Sequence, residues 1–407
     1  MVSGEGSPTV DAVFEKNDFD AIYDAYFETI IAAGQVSADP SGWSRTEPGS
    51  PLTPAPDLRP ELMGHYVIDN RNLIASEKEP LLAMLGAWDG RSYAYEEATL
   101  VPSISTASLA VLFLMRSAGV REVRFETPAY YATIEQADSI GLACTRVPTW
   151  RERAYQWDAS EFRAESPAPV ALWLTQPRYA LGIDQDVDAV ESLASVLRPV
   201  DFIVIDETAD QGWPTRLHGL REAPGGPNLI RIRGIMKPLG LNSLRLAVIL
   251  HQMRWRTPLQ ELQWLVGAAL DRYSLQAAAA WSAPPDLFQA MLASARGRVV
   301  AIRRRLSALG GSIELSRMVN GYLGVAELDW SGIGAPRQTV RSALLAFCSE
   351  RRMPVTLGAA MLFAVEPDRE RVRLNYFMPQ RELEGAVVAL REFAAQIGAP
   401  LTSPSPH

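Results

Sequence analysis

Between residues 100 and 250 the chain repeats one pattern, a short continuously apolar run followed by a stretch with helical spacing. The runs are Thr99–Pro102, Glu122–Glu126, Ala143–Val147, Val170–Thr175, Phe202–Asp206, Leu229–Arg233 and Leu246–Leu250. Ala107–Ser117, Ile134–Ile140 and Val187–Leu197 lie between them. A strand that is apolar throughout has no solvent face, so it belongs in a mainly parallel sheet covered by helices on both sides. The expected class is therefore α/β. Long helical patterns follow over Gln260–Ala280 and Pro285–Leu309, then short strands (Gly321–Ala326, Val372–Tyr376) and a last helix, Leu383–Ile397. That order predicts a smaller α+β C-terminal domain attached by a long helix. The division is an N-terminal arm and connector over 1–60, a large domain over 61–290 and a small domain over 291–407, with part of the arm packed on the small one. The arm is expected to carry a helix, Phe19–Ala33, before a proline-rich connector.

Composition removes several function classes. The 407 residues are 47% hydrophobic and 21% charged, with a net charge of -8, an ordinary globular balance without the basic surface that nucleic acid requires. No apolar run approaches the ~20 residues that span a bilayer. Glu5, Asp11, Glu15, Asp18 and Asp20 leave no secretory-signal pattern at the start. Cys144 and Cys348 cannot build a disulfide framework, and a reducing cytoplasm is the expected location. His65, His218, His251 and His407 have no metal-ligand spacing, so no metal site is expected. Nucleophile-elbow, dinucleotide and phosphate-loop motifs are absent.

Of 39 basic residues only Lys16, Lys78 and Lys237 are lysines. In such a background a lysine within an apolar stretch either answers a need for an amine that a guanidinium cannot meet or falls there by chance. In open parallel sheets ligands sit beyond the carboxyl ends of the strands, so the residues that follow each run carry the argument. They are Ser103-Ile-Ser105-Thr106, Thr127-Pro-Ala-Tyr130-Tyr131, Thr175-Gln-Pro-Arg178-Tyr179, Asp206, and Gly234-Ile-Met-Lys237-Pro-Leu-Gly240-Leu-Asn-Ser-Leu-Arg245.

In this order the pieces resemble the fold-type-I pyridoxal-5'-phosphate (PLP) enzymes, and among them the class I/II aminotransferase family, from about Ser44 to the C-terminus. The core of the resemblance is Asp206 about thirty residues before Lys237, and Arg245 within K-x-x-G-(x)4-R. It implies PLP as cofactor, with Lys237 forming its Schiff base and moving the Cα proton of an α-amino acid held as an external aldimine. Asp206 would keep the pyridine nitrogen protonated. Arg245 would grip the phosphate together with the amides of Ser105 and Thr106 at a helix N-terminus. Tyr130 would stack on the ring. Met353–Gly358 followed by Arg371-Val-Arg373-Leu-Asn-Tyr376 resembles the family's small-domain segment, which makes Arg373 the α-carboxylate ligand and Arg371 the second choice. A homodimer with its sites at the subunit interface is also implied.

Several positions depart from the family. Tyr179 stands where an Asn usually donates to the cofactor's phenolic O3', and Ala209 where a Tyr often does. This reads as a swap in which the Tyr179 hydroxyl reaches O3', with the aldimine nitrogen and Arg178 as the two candidate cations beside it. Gly234 and Met236 replace serines, Ile104 replaces a glycine, and Leu73 follows Asp69–Asn72 where relatives carry Tyr. Transamination is the implied reaction. Set against it are β/γ-elimination, γ-substitution, cyclisation or oxidation of an amino acid or an S-adenosylmethionine-like substrate in specialised metabolism. A PLP-binding regulator is the reading from another class, and the intact Lys237 counts against it.

Overall fold

The computed structural model describes residues 65–162, 167–193, 196–211, 226–284, 286–309 and 313–398, so the expected helix Phe19–Ala33 and the connector lie outside the described residues. The first elements are β1 (Tyr66–Val67) and α1 (Arg71–Asp89), the latter capped by Asn70, whose side chain accepts the Asn72 amide. Next come β2 (Ala98–Val101), α2 (Ile104–Ser117), β3 (Glu122–Thr127), α3 (Tyr131–Ser139), β4 (Ala143–Pro148) and β5 (Val170–Thr175). They are followed by α4 (Val187–Leu193), β6 (Phe202–Asp206), β7 (Asn228–Gly234) and β8 (Ala247–Leu250). The seven-stranded sheet has the order β2-β8-β7-β6-β5-β3-β4. β7, β6, β5, β3 and β4 are mutually parallel, whereas β8 runs antiparallel to both β7 and β2.

Both faces of this sheet are buried, which is why its strands read as unbroken apolar runs. Phe202 and Val204 of β6 and Ala247 and Ile249 of β8 pack with Val111 and Leu114 of α2. The alternate residues face the other way: Ile203 and Ile205 meet Leu193, and Val248 and Leu250 meet Leu81 and Leu85 of α1. Period-two alternation places an apolar side chain on each side in turn, and each fully buried Val, Leu or Ile contributes roughly 1.5–3 kcal/mol.

One expected element is corrected. Gln260–Ala280 is two helices, α5 (Arg256–Leu265) and α6 (Arg272–Ser282), with β9 (Leu270–Asp271) between them. Gly267 adopts φ +64°, β9 pairs antiparallel with β1, and the Asp271 carboxylate accepts the amides of Tyr273 and Ser274 as a new N-cap. The cap and the tertiary pairing outweigh a continuous apolar pattern. α7 (Leu287–Ala308) then leads to β10 (Ile313–Leu315), β11 (Leu323–Asp329), α8 (Arg337–Glu350), β12 (Arg369–Asn375) and α9 (Gln380–Gln396). β10-β11-β12 form an antiparallel sheet in which Val325 faces Arg373 and Glu327 faces Arg371. Trp330, Leu344 and Leu390 of this C-terminal part share one core with Trp281, Phe288 and Met291.

Buried ions tie the large sheet to α1. Arg231 and Arg233 of β7 each pair with both Asp89 and Glu207, at 2.8–3.1 Å. Lys78 pairs with Asp69 at 2.9 Å, and Arg256 reaches the same carboxylate at 3.3 Å. Lys78 is thus committed to a structural cluster.

Candidate active site

β3, β5, β6 and β7 end side by side, with Thr175 of β5 in register with Asp206 and Asp206 with Ile232 of β7. Their carboxyl ends gather the candidate residues. Lys237 begins a single helical turn, Lys237–Leu239, that Gly240 closes at φ +77° by donating its amide to Lys237 O at 2.9 Å. The glycine of the K-x-x-G spacing is therefore the residue that a left-handed closing position favours. The Gln211 side chain donates to Pro238 O at 2.6 Å and ties the segment after β6 to this turn.

The Lys237 side chain is half-buried, and burial lowers its amine from 10.5 to about 8. Asp206 opposes that shift, and the positive charges of Arg373 and Arg245 add to it. Asp206 is buried, and desolvation pushes its carboxyl above the usual value despite bonds from Thr208. Both the amide and the hydroxyl of Thr208 donate to Oδ1 of Asp206. Gly234 brings three segments together: a Cβ there would lie 3.3 Å from Thr208 O, 3.5 Å from Ile104 Cδ1 and 3.6 Å from Lys237 Cβ. The start of α2 thus lies beside the lysine turn.

Ser103 caps α2, and its hydroxyl accepts the Thr106 amide at 3.1 Å. Ser105 and Thr106 sit in the first helical turn, Ser105 exposed and Thr106 half-buried. Arg245 is exposed between the lysine turn and β8. Tyr130 precedes α3, and its ring centroid is 6.0 Å from that of Tyr179.

The two C-terminal arginines differ. Arg371 is buried, its Nε donating to Glu327 at 3.0 Å and its NH2 to Glu366, with its guanidinium 4.6 Å from the Phe363 ring. Arg373 is half-buried and donates from NH1 to the Tyr179 hydroxyl at 2.9 Å. The protein cation beside Tyr179 is therefore Arg373 and not Arg178, one of the two candidates the sequence offered. Arg178 turns away into a buried network, bonding Glu126 at 2.7 Å and Gln156 and Gln185 at 2.9 Å each.

Sequence reasoning missed Thr208, Asn320 and Tyr322. The turn dipeptide Asn320-Gly321 was a legible signal for the last two. Around Tyr179 the backbone is unusual: Ala154, Tyr155, Ala180 and Leu362 all have positive φ, between 50° and 60°. Such strain concentrates at functional sites. A cavity of about 290 Å³ adjoins this region, bounded by Arg151, Tyr155 and Leu181 on one side and Ser316, Val325 and Glu327 on the other.

No family model matches the chain, and no curated protein matches it by sequence. Solved structures do. The aspartate aminotransferase of Thermotoga maritima superimposes with a TM-score of 0.71 at 14% identity, covering 96% of this chain and 100% of that one. The aspartate aminotransferase of Thermus thermophilus, solved with maleate, gives 0.70 at 18% identity, with 94% and 98% covered. The Escherichia coli protein YbdL, described as having a methionine aminotransferase function, gives 0.69 at 13% identity, with 93% and 97% covered. The chain has the aminotransferase fold, a mainly parallel α/β sheet with a smaller C-terminal α+β part.

Proposed function

We propose that the protein binds PLP through Lys237 and acts on an α-amino acid as an aminotransferase in the cytoplasm. One observation carries this reading. At the carboxyl ends of β6 and β7 an amine lowered to about 8, a buried carboxylate, and Arg373 bonded to Tyr179 meet in one electrostatic neighbourhood.

The residues fit PLP. Both Thr208 bonds land on Oδ1 of Asp206, which leaves a buried carboxylate oxygen for a pyridinium N–H. That cation would offset the desolvation that raises Asp206. The neutral amine of Lys237 would hold the cofactor through its aldehyde carbon and would move the proton at the amino acid's Cα. Arg245 and the Ser105 amide would hold the phosphate at the rim. Ser103 occupies the Thr106 amide, so Thr106 would contribute its hydroxyl, which can accept from Ser103 and turn its own proton outward. Tyr130 would lie against the ring, Tyr179 toward O3', and Arg373 against the substrate carboxylate. When bound, the cofactor supplies the electron sink for charge left at Cα.

A second reading, elimination, substitution, cyclisation or oxidation instead of transamination, has the Tyr179–Arg373 pair in its favour. A phenol bonded to a guanidinium can exchange a proton that a carboxamide cannot. We also read the protein as a homodimer, because Tyr66, Trp264 and Leu265 are 71%, 74% and 66% exposed.

The test adds PLP to purified protein across neutral and alkaline pH and traps the product with borohydride. Label should fall on the Lys237 peptide and rise with pH through about 8, because only the unprotonated amine attacks. Label on Lys16 or Lys78, or no chromophore, overturns the assignment. Mass spectrometry of an amino-acid panel then separates the two reactions: products that require 2-oxoglutarate indicate transamination, and products that form without it indicate the second reading.

A further inference from the structure

Asn320 is a buried junction. Its Oδ1 accepts the amides of Gln211 at 2.9 Å and Gly321 at 2.6 Å, and its Nδ2 donates to Asp184 and Asp210 at 2.7 Å each. These bonds pin the chain before β11 to the segments that follow β5 and β6. Gly321 then presses on both segments. With φ +77°, a Cβ there would lie 2.9 Å from Pro177 Cγ, 3.0 Å from Ala209 O and 3.7 Å from Ala209 Cβ. Real Cβ atoms rarely approach this closely, so glycine fixes the next residue, Tyr322, alongside Ala209.

Tyr322 is 1% exposed, its ring 5.1 Å from that of Phe377 and its carbonyl accepting the Tyr376 amide at 2.9 Å. The charges that act on its phenol are those of Asp206, Tyr179 and Arg373. Burial first, and then Asp206, holds its proton well above the ordinary tyrosine value, so the hydroxyl remains a donor. Asp206 would serve the pyridine nitrogen and Tyr179 the phenolic oxygen. Tyr322 thus belongs to the same electrostatic neighbourhood as Asp206, Tyr179 and Arg373, and the Gly321 contacts bring its backbone against Ala209. Ala209 ends in a methyl and Gly321 in a hydrogen, so the polar group on that side comes from Tyr322.

We propose that Tyr322 is a cofactor-binding residue whose hydroxyl fills the space beside Ala209 and donates to the phenolic O3' of PLP, sharing that oxygen with Tyr179. This rests on the PLP reading given under Proposed function. The C-terminal part then supplies one ligand to the substrate carboxylate, Arg373, and one to the cofactor itself.

The experiment compares the parent with Tyr322→Phe and Tyr322→Leu, each loaded with PLP and without any amino acid. It reads the pH midpoint of the bound chromophore by absorbance and the PLP dissociation constant by fluorescence. A donor to O3' favours the form in which that oxygen carries most negative charge, the deprotonated one. Loss of the donor should raise the midpoint by about one pH unit and weaken PLP about tenfold, the scale of one hydrogen bond to a charged group. Both variants should shift alike, since both lack the hydroxyl, and if one fails to fold the other still reads it. A Tyr322→Phe curve that overlays the parent overturns the proposal, including the case where only Tyr322→Leu shifts, which would assign Tyr322 to packing. A parent that takes up no PLP on Lys237 overturns the PLP reading and this proposal together. A normally loaded parent with an unchanged Phe variant overturns this proposal alone.

Discussion

Arg371 and Arg373 lie two residues apart on one face of β12, and their surroundings assign them different work. Arg371 is enclosed by Glu327 and Glu366 and stacked on Phe363. Arg371→Ala should destabilise the protein by about 3 kcal/mol, the lower end for a broken buried pair, because Arg151 and Arg369 still reach Glu327. Arg373→Ala should leave stability and PLP capture near the parent but weaken amino-acid binding by roughly 2–5 kcal/mol, as for truncating one side of a buried charge pair. Denaturant unfolding and substrate titration of the two variants check both statements, and the opposite pattern would exchange their roles. At this scale the legible residues were those with local causes. Lys237 and Gly240 belong to one turn, and Asp206 ends an apolar strand, so spacing reveals them. Arg178 and Arg373 could not be ranked from spacing, because adjacency to Tyr179 in the chain differs from adjacency in space.

The segment that carries Tyr179 has little freedom. Gly182 holds φ +65°, and a Cβ there would come within 2.0 Å of Met318 Cγ and 2.7 Å of Asn320 O. Gly182→Ala should therefore cost about 1–2 kcal/mol for the left-handed backbone and a further ~1–3 kcal/mol for overpacking. Met318→Ala in the same chain should recover part of the second amount, because the Asn320 carbonyl stays in place. Thermal unfolding of the single and double variants measures this, and an undisturbed single variant would mean the two loops separate readily. The elements of the large sheet were legible because burial on both faces leaves an unbroken apolar run. The break at Gly267 was not, since β9 exists by pairing with β1 about two hundred residues earlier.

For the molecule as a whole, the α/β class followed from the order of strands and helices, whereas the contacts across the two sheets did not. Tyr322 comes from beyond α7 into the electrostatic neighbourhood of Asp206 and Tyr179, and no local pattern announces such a meeting. The exposed Trp264 and Leu265 of α5 carry a further expectation at this scale. Trp264→Glu and Leu265→Glu should leave the fold intact and convert a dimer to monomers in light scattering, and an unchanged mass would place the subunit contact elsewhere. The hydrogen bond between Arg373 and Tyr179 spans 194 residues. At a synthesis rate of roughly 5–20 residues per second, Tyr179 leaves the ribosome on the order of 10–40 s before its partner exists. During that interval the amine of Lys237 lacks the positive charge of Arg373. On the proposed function, a nascent chain would therefore carry the reactive amine before the arginine that selects its substrate, and the site would be complete only when the last strand docks.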